Sequence, residues 1–284
     1  KLRNFMTNTI TLRREWRTLS KAERTLFLNT VLKLMKRDDN NSPSFFDRQA
    51  KLFGDNSRAV PEQNIRKGGL INTSPLFFPW RRYFLFLFEK QLQAIEPSLT
   101  LPYWSFGVDN EAPELAPVWD SDAFGGNGVG EGSRVIDGAF KDWQPLYPMP
   151  HRLQRSWSAG EKISPIESPE VTHSKVVNSQ NYNSFCTSIQ VATNGKVHNG
   201  IGGEMLGMYA PNDPIFYLCA ANIDRLWAKW QHSFPDRIQY NGVMHHNKQQ
   251  VSLTDVMPYF AESVTVGDVM SVEKLGYKYE ELKS

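Results

Sequence analysis

Apolar residues recur at helical spacing in four stretches of the chain. Ser20 and Glu23 read as a capping box, in which each side chain satisfies a free backbone amide at a helix start. Phe27, Val31, Leu34 and Met35 follow at the spacing of one buried face, and Lys36-Arg37-Asp38-Asp39 ends it, so a helix is predicted over residues 21–36. Pro79 stands near the start of a second helix. Phe84, Leu87, Phe88, Leu92 and Ile95 give that helix its apolar face until Glu96-Pro97 stops it, with Arg81 in its first turn. A third helix is predicted over 175–200 and broken by the glycines from Gly200 to Gly207; it puts Asn194 and His198 one turn apart on one face. Pro214 opens a fourth, which runs through Leu218, Ala221, Arg225, Leu226 and Trp230 to Phe234-Pro235.

Between the second and third helices, residues 106–150 are rich in Gly, Pro and Asp with little periodicity, a long loop of the kind that is commonly functional or mobile. Beyond residue 250 the alternation of Val264, Val266 and Val269 predicts short strands. The fold class that follows is mainly α, a four-helix-bundle core with long loops, a few short strands and polar residues turned into the bundle.

At 284 residues, 40% hydrophobic and 12% aromatic, the chain suits one domain with a substantial core better than two. A formal charge of +2, with both signs interspersed, leaves no electrostatic footprint for nucleic acid or an anionic membrane. The densest apolar run, Tyr83 to Phe88, is far short of the roughly 18 residues that span a bilayer. Cys186 and Cys219 do not make a disulfide framework, and Cys219 within a buried helix reads as a small core residue rather than a reactive thiol. Asn40-Asn41-Ser42 is a glycosylation sequon, which favours secretion.

Two segments carry more information than composition does. One is Asn72-Thr-Ser-Pro-Leu-Phe-Phe-Pro-Trp-Arg81-Arg82, and the other runs from Asp213-Pro-Ile-Phe216 through Cys219-Ala220 to Asn222-Ile-Asp224-Arg225-Leu-Trp227. Both resemble the signature segments of the tyrosinase and catechol oxidase family, whose members resemble one another most around six histidines that hold two coppers. The stretch from Arg14 to Arg24 is similar to the entry segment of fungal members, and Leu275 to Glu280 looks like the end of the family's core domain. The resemblance implies one tyrosinase-like core domain over residues 1–284, without the later extension that shields the site in latent members.

The histidines are mostly replaced. Where the resemblance calls for ligands, the chain has Phe53, Asn72 and Arg81 in the first half, and Asn194, His198 and Ala220 in the second, with Cys219 beside Ala220. His198 is the one family ligand retained. Copper affinity depends on ligand number, type and geometry, and a guanidinium offers five donors and no lone pair. No metal and no cofactor is therefore expected. Asp213, Asn222, Asp224, Arg225, Arg82 and Trp227 match the family pattern without binding copper there, and read as residues that hold the fold. His151, His173, His232, His245 and His246 fall outside the motifs; the adjacent pair His245-His246 reads as solvated rather than metal-binding.

Asn72, Arg81, Asn194 and His198 form a convergent polar set where decay within a packed core would favour apolar replacements. Its expected partner is a small aromatic or carbonyl-bearing molecule. Arg81 would stabilise an oxygen, Asn72 and Asn194 would orient the ligand, and His198 would either act as general acid or base with a pKa near neutrality or stand as a hydrogen-bonded core histidine. Phe53, Phe216, Cys219, Ala220 and Asn199 would surround it. Cyclisation, isomerisation, dehydration or addition, in a setting such as fungal specialised metabolism, fits such a pocket. The alternatives are a non-catalytic binding or interaction protein, an inert scaffold, and a residual copper-dependent phenol oxidase.

Overall fold

The centre of the molecule is a pair of helices that are apolar nearly all round, α3 (Phe77–Ile95) and α7 (Ile215–Ser233), packed on each other. A helix buried on most of its circumference needs such a sequence, and both carry aromatic residues at successive turns. The computed structural model describes residues 10–57, 75–243 and 250–280. Asn72 and the pair His245-His246 lie outside the described residues.

Helix α1 (Lys21–Met35) starts on the predicted capping box: Glu23 N–H donates to Ser20 Oγ at 3.3 Å and Ser20 N–H to Glu23 Oε2 at 2.7 Å. Helix α2 (Phe45–Ser57) begins in the same way on Ser44 and Asp47, and buries Phe46, Ala50 and Phe53. Helix α1 packs on both α2 and α3.

The stretch predicted as one helix over 175–200 is divided. Helix α4 (Pro169–Asn178) ends at Ser179, which turns extended and gives its carbonyl to Trp230 Nε1 at 3.1 Å. Asn181 then caps α5 (Tyr182–Cys186) by accepting from Ser184 N–H at 3.0 Å. Four polar residues in succession, Asn178 to Asn181, offer the backbone side-chain partners that compete with helical bonding, and the helix stops there. A π-helical stretch, Thr187–Asn194, continues into α6 (Gly195–Ile201). Wide turns of this kind are rare and are frequent at functional sites.

The strands are short. β1 (Thr11–Arg13) pairs in parallel with β6 (Tyr277–Tyr279), with Thr11 opposite Tyr277, and joins the two ends of the described chain. β2 (Gly128–Val129) pairs with β3 (Arg134–Val135), and β4 (Gly242–Val243) with β5 (Gln250–Val251), both antiparallel. Val264, Val266 and Val269 are all buried but do not make the predicted strands. Val256 and Thr265 form one isolated bridge, after which Asp268 accepts from Thr265 N–H at 2.8 Å and curls the chain into a turn over Gly267–Val269.

Buried charge fixes the register of the core. Arg82 Nε donates to Asp224 Oδ1 at 2.6 Å between α3 and α7, and the Arg82 guanidinium lies 3.7 Å from the Trp227 ring. Asp224 also accepts from the hydroxyls of Tyr277 and Tyr279, each at 2.7 Å, so β6 is tied to the same carboxylate. The long loop is held by Arg155, which donates to the carbonyls of Phe124, Gly125 and Gly126 and, at 2.7 and 2.9 Å, to both oxygens of Asp213 at the entry to α7.

Candidate functional site

One half-open cavity of about 310 Å³ lies between α2, the start of α3 and the segment 190–210. Phe53 of α2 and Phe77 of α3 form its apolar wall. Arg81, four residues after Phe77 and therefore on the same face of α3, brings a charge into it. Opposite stand Gln190, Asn194 and His198, spaced four apart along the π-helical stretch and α6, so that successive turns present one polar edge.

The Arg81 guanidinium sits among three phenyl rings, 4.3 Å from the Phe77 centroid, 5.2 Å from Phe53 and 5.5 Å from Phe216. Ring faces attract a cation, which offsets part of the cost of taking it out of water. Burial still pushes Arg81 down to about 9, which leaves it charged at neutral pH.

His198 is fixed by the turn that follows it. Its Nδ1 lies 2.7 Å from the carbonyl oxygen of Met205. A carbonyl only accepts, so Nδ1 carries the proton and Nε2 keeps a lone pair. The turn is possible because Gly202 and Gly203 have positive φ of 68° and 53°, and a Cβ at Gly202 would stand 1.9 Å from the Ser156 carbonyl oxygen. Burial, and then the neighbouring Arg81 charge, pull His198 down to about 4, against a raising effect of the Met205 carbonyl. The near-neutral imidazole that the sequence suggests is thus corrected to a neutral hydrogen-bond acceptor at pH 7.

Phe216 is fully buried behind the wall, in edge contact with Phe53 at 5.0 Å and with His198 at 6.1 Å. Asn199 lines the cavity on its exposed side. Cys219 and Ala220 are buried in α7, one turn beyond Phe216, and are not among the described residues that line the cavity. Burial, then Asp213, pushes the Cys219 thiol well up, which makes it inert. Cys186 is likewise a buried free thiol. Gln190, Val191, Met205 and Leu206 were not singled out from sequence, although one step of four back from Asn194 reaches Gln190.

Residues 43–233 match the family described as the common central domain of tyrosinase. The chain belongs to the tyrosinase family. It is 32% identical to tyrosinase ustQ of Aspergillus flavus over 92% of this chain and 76% of that protein. It is 30% identical to the tyrosinase-like protein phomQ2 of Diaporthe leptostromiformis over 94% and 72%. A Streptomyces glaucescens tyrosinase is 31% identical over 80% of this chain and 84% of its own length. The fold is similar to a mutant polyphenol oxidase from Thermothelomyces thermophila, with a TM-score of 0.76 and 22% identity over 96% of this chain and 89% of that one. An octopus hemocyanin functional unit aligns at a TM-score of 0.62 and 19% identity, over 95% and 68%.

A tyrosinase fold implies a pair of copper ions held by imidazoles, and the cavity is where the family resemblance puts them. Among the described residues, no three His, Cys, Asp or Glu side chains stand together as a metal site. The described cavity lining of this tyrosinase-family chain has one imidazole, three amides and a guanidinium, and the guanidinium has no electron pair to give. That donor set does not fit a dicopper centre.

Proposed function

We propose that this chain is a copper-free member of the tyrosinase family whose pocket binds a small aromatic or carbonyl-bearing metabolite and converts it by non-oxidative chemistry. The observation that carries this reading is the phenyl-walled Arg81 guanidinium facing a neutral His198 across a cavity of small-molecule size. Arg81 supplies a preorganised positive charge for an oxygen that gains electron density, as a carbonyl does on becoming an enolate. Asn194 and Gln190 orient the ligand, and Asn72 is assigned the same part. The Nε2 lone pair of His198 accepts a proton. A ligand oxyanion beside Arg81 would offset the smaller of the two effects that lower His198, the larger being burial. Cyclisation, isomerisation, dehydration and addition share these needs, and the fungal relatives make specialised metabolism a reasonable setting.

A second reading, a binding protein without turnover, is favoured by the low His198 pKa, since a group near 4 is a weak base at neutral pH. Among the described residues no helix is long and apolar enough to cross a membrane, and we assign neither a membrane nor a nucleic-acid partner.

Elemental analysis before and after incubation with copper and zinc, paired with a catechol oxidation assay, tests the copper-free part. Substoichiometric metal without oxidation is the expected result, and about two coppers per chain with catechol turnover overturns the reading. A metabolite screen with Arg81→Met and His198→Ala then separates catalysis from binding. Loss of ligand in Arg81→Met is expected, and turnover unchanged in His198→Ala would favour a role other than general base.

A further inference from the structure

Within the cavity Arg81 and Asn194 are buried at 4% and 8% exposure beside the apolar wall of Phe53 and Phe77, while two apolar residues of the lining stand mostly in solvent. Val191 is 67% exposed and Leu206 is 62% exposed. Residues that line a cavity and are also open to water stand at its mouth.

Both are held there by the parts of the chain that build the polar interior. Val191 follows Gln190 in the π-helical stretch, and Leu206 follows Met205, whose carbonyl accepts from His198. Met208, 44% exposed, continues the apolar edge along the chain. Large side chains left in water forgo the stabilisation of burial. A ligand that covers them recovers part of it.

We propose that the natural ligand is amphiphilic, with an oxygen-bearing head against Arg81, Asn194 and His198 and an apolar body that leaves the cavity across Val191 and Leu206, so that these two side chains set which body is accepted. This rests on the small-molecule reading of the pocket. The volume of about 310 Å³ is near the lower end for small-molecule sites, roughly 300–1,000 Å³, so the interior suits a ring-sized head and a longer body must pass the mouth. The occupant of the mouth is part of the ligand itself because the apolar edge is continuous with the polar lining in one cavity.

The test is calorimetric binding of a 4-alkylphenol series, from 4-methylphenol to 4-hexylphenol, to the parent and to a Val191→Ser, Leu206→Ser double variant. Both positions are more than half exposed, so the variant is expected to fold, and a thermal melt checks this. In the parent each added methylene should tighten binding about two- to fourfold. In the variant the series should flatten while 4-methylphenol binds within about twofold of the parent, since its head contacts are untouched. A flat series in the parent, or the same slope in both proteins, overturns the inference while leaving the head site standing. Failure of 4-methylphenol to bind, or binding indifferent to Arg81→Met, defeats the reading of the head site and this inference with it. A concentration-dependent dimer of the parent that the double variant abolishes would show a second copy of the chain on this edge, and would also overturn the proposal.

Discussion

His198 Nδ1 lies 2.7 Å from the carbonyl oxygen of Met205, seven residues later across a glycine turn. That bond fixes the tautomer, and enclosure beside Arg81 keeps the ring neutral, with its pKa lowered to about 4. In the unfolded chain the same imidazole titrates near 6.5. As pH falls below about 6.5 the unfolded state takes up a proton first, so stability is lost down to about 4 and then levels off. The loss at the acid end is on the order of 3 kcal/mol. Urea titrations of the parent and of His198→Gln at several acid pH values should show this part of the acid limb removed by the substitution.

The second histidine of this region has the opposite sign. His151 Nδ1 is 2.7 Å from the Met149 carbonyl oxygen and Nε2 is 2.7 Å from Glu204 Oε1. Both oxygens only accept, so the ring donates from both nitrogens as an imidazolium, and its pKa is raised, by the Glu204 hydrogen bond first. A raised folded pKa gives stability that is fully present below about pH 6.5 and is lost as pH rises through the folded value. Melting curves across the neutral to alkaline range should therefore fall more steeply for the parent than for His151→Gln.

Helix α2 meets Tyr209 through a glycine. A Cβ at Gly54 would stand 2.2 Å from Tyr209 Cε1, closer than any real contact allows. Gly54→Ala should cost about 1–3 kcal/mol in chemical denaturation through overpacking, despite the better helix propensity of alanine. An unchanged midpoint would mean that the Tyr209 ring moves aside at no cost.

Asp224 ties three elements of the core together, bound at once by Arg82, Tyr277 and Tyr279 and 3% exposed. Asp224→Ala leaves the Arg82 charge buried without its counter-ion and should destabilise by about 3–5 kcal/mol, as measured by urea unfolding. Simultaneous replacement of Arg82 by Met should return part of that loss, because the stranded charge is then gone.

Local signals were legible where the physics is local. The capping box at Ser20 and Glu23, the proline that opens α7 and the apolar faces of α3 and α7 all follow from contacts within a few residues along the chain. The helix predicted over 175–200 divides because the extended backbone at Ser179 is held by Trp230 from a distant helix, a contact that no local pattern contains. The valines near the end keep the burial that alternation implies, but Asp268 captures the Thr265 amide and makes a turn where strands were expected.

The sequence by itself determined that the chain carries the tyrosinase-like segments, and motif spacing alone implies that His198 is the one family imidazole kept, with Arg81 and Asn194 at other ligand positions. It did so because motif spacing is a property of the chain alone. Only the tertiary structure decided that Cys219 and Ala220 are buried without lining the cavity, that three phenyl rings from α2, α3 and α7 surround Arg81, and that Val191 and Leu206 line the cavity while standing in solvent. It also set the proton on His198. Enclosure, ring contacts and pKa depend on atoms brought together from remote segments, and no spacing along one segment contains them.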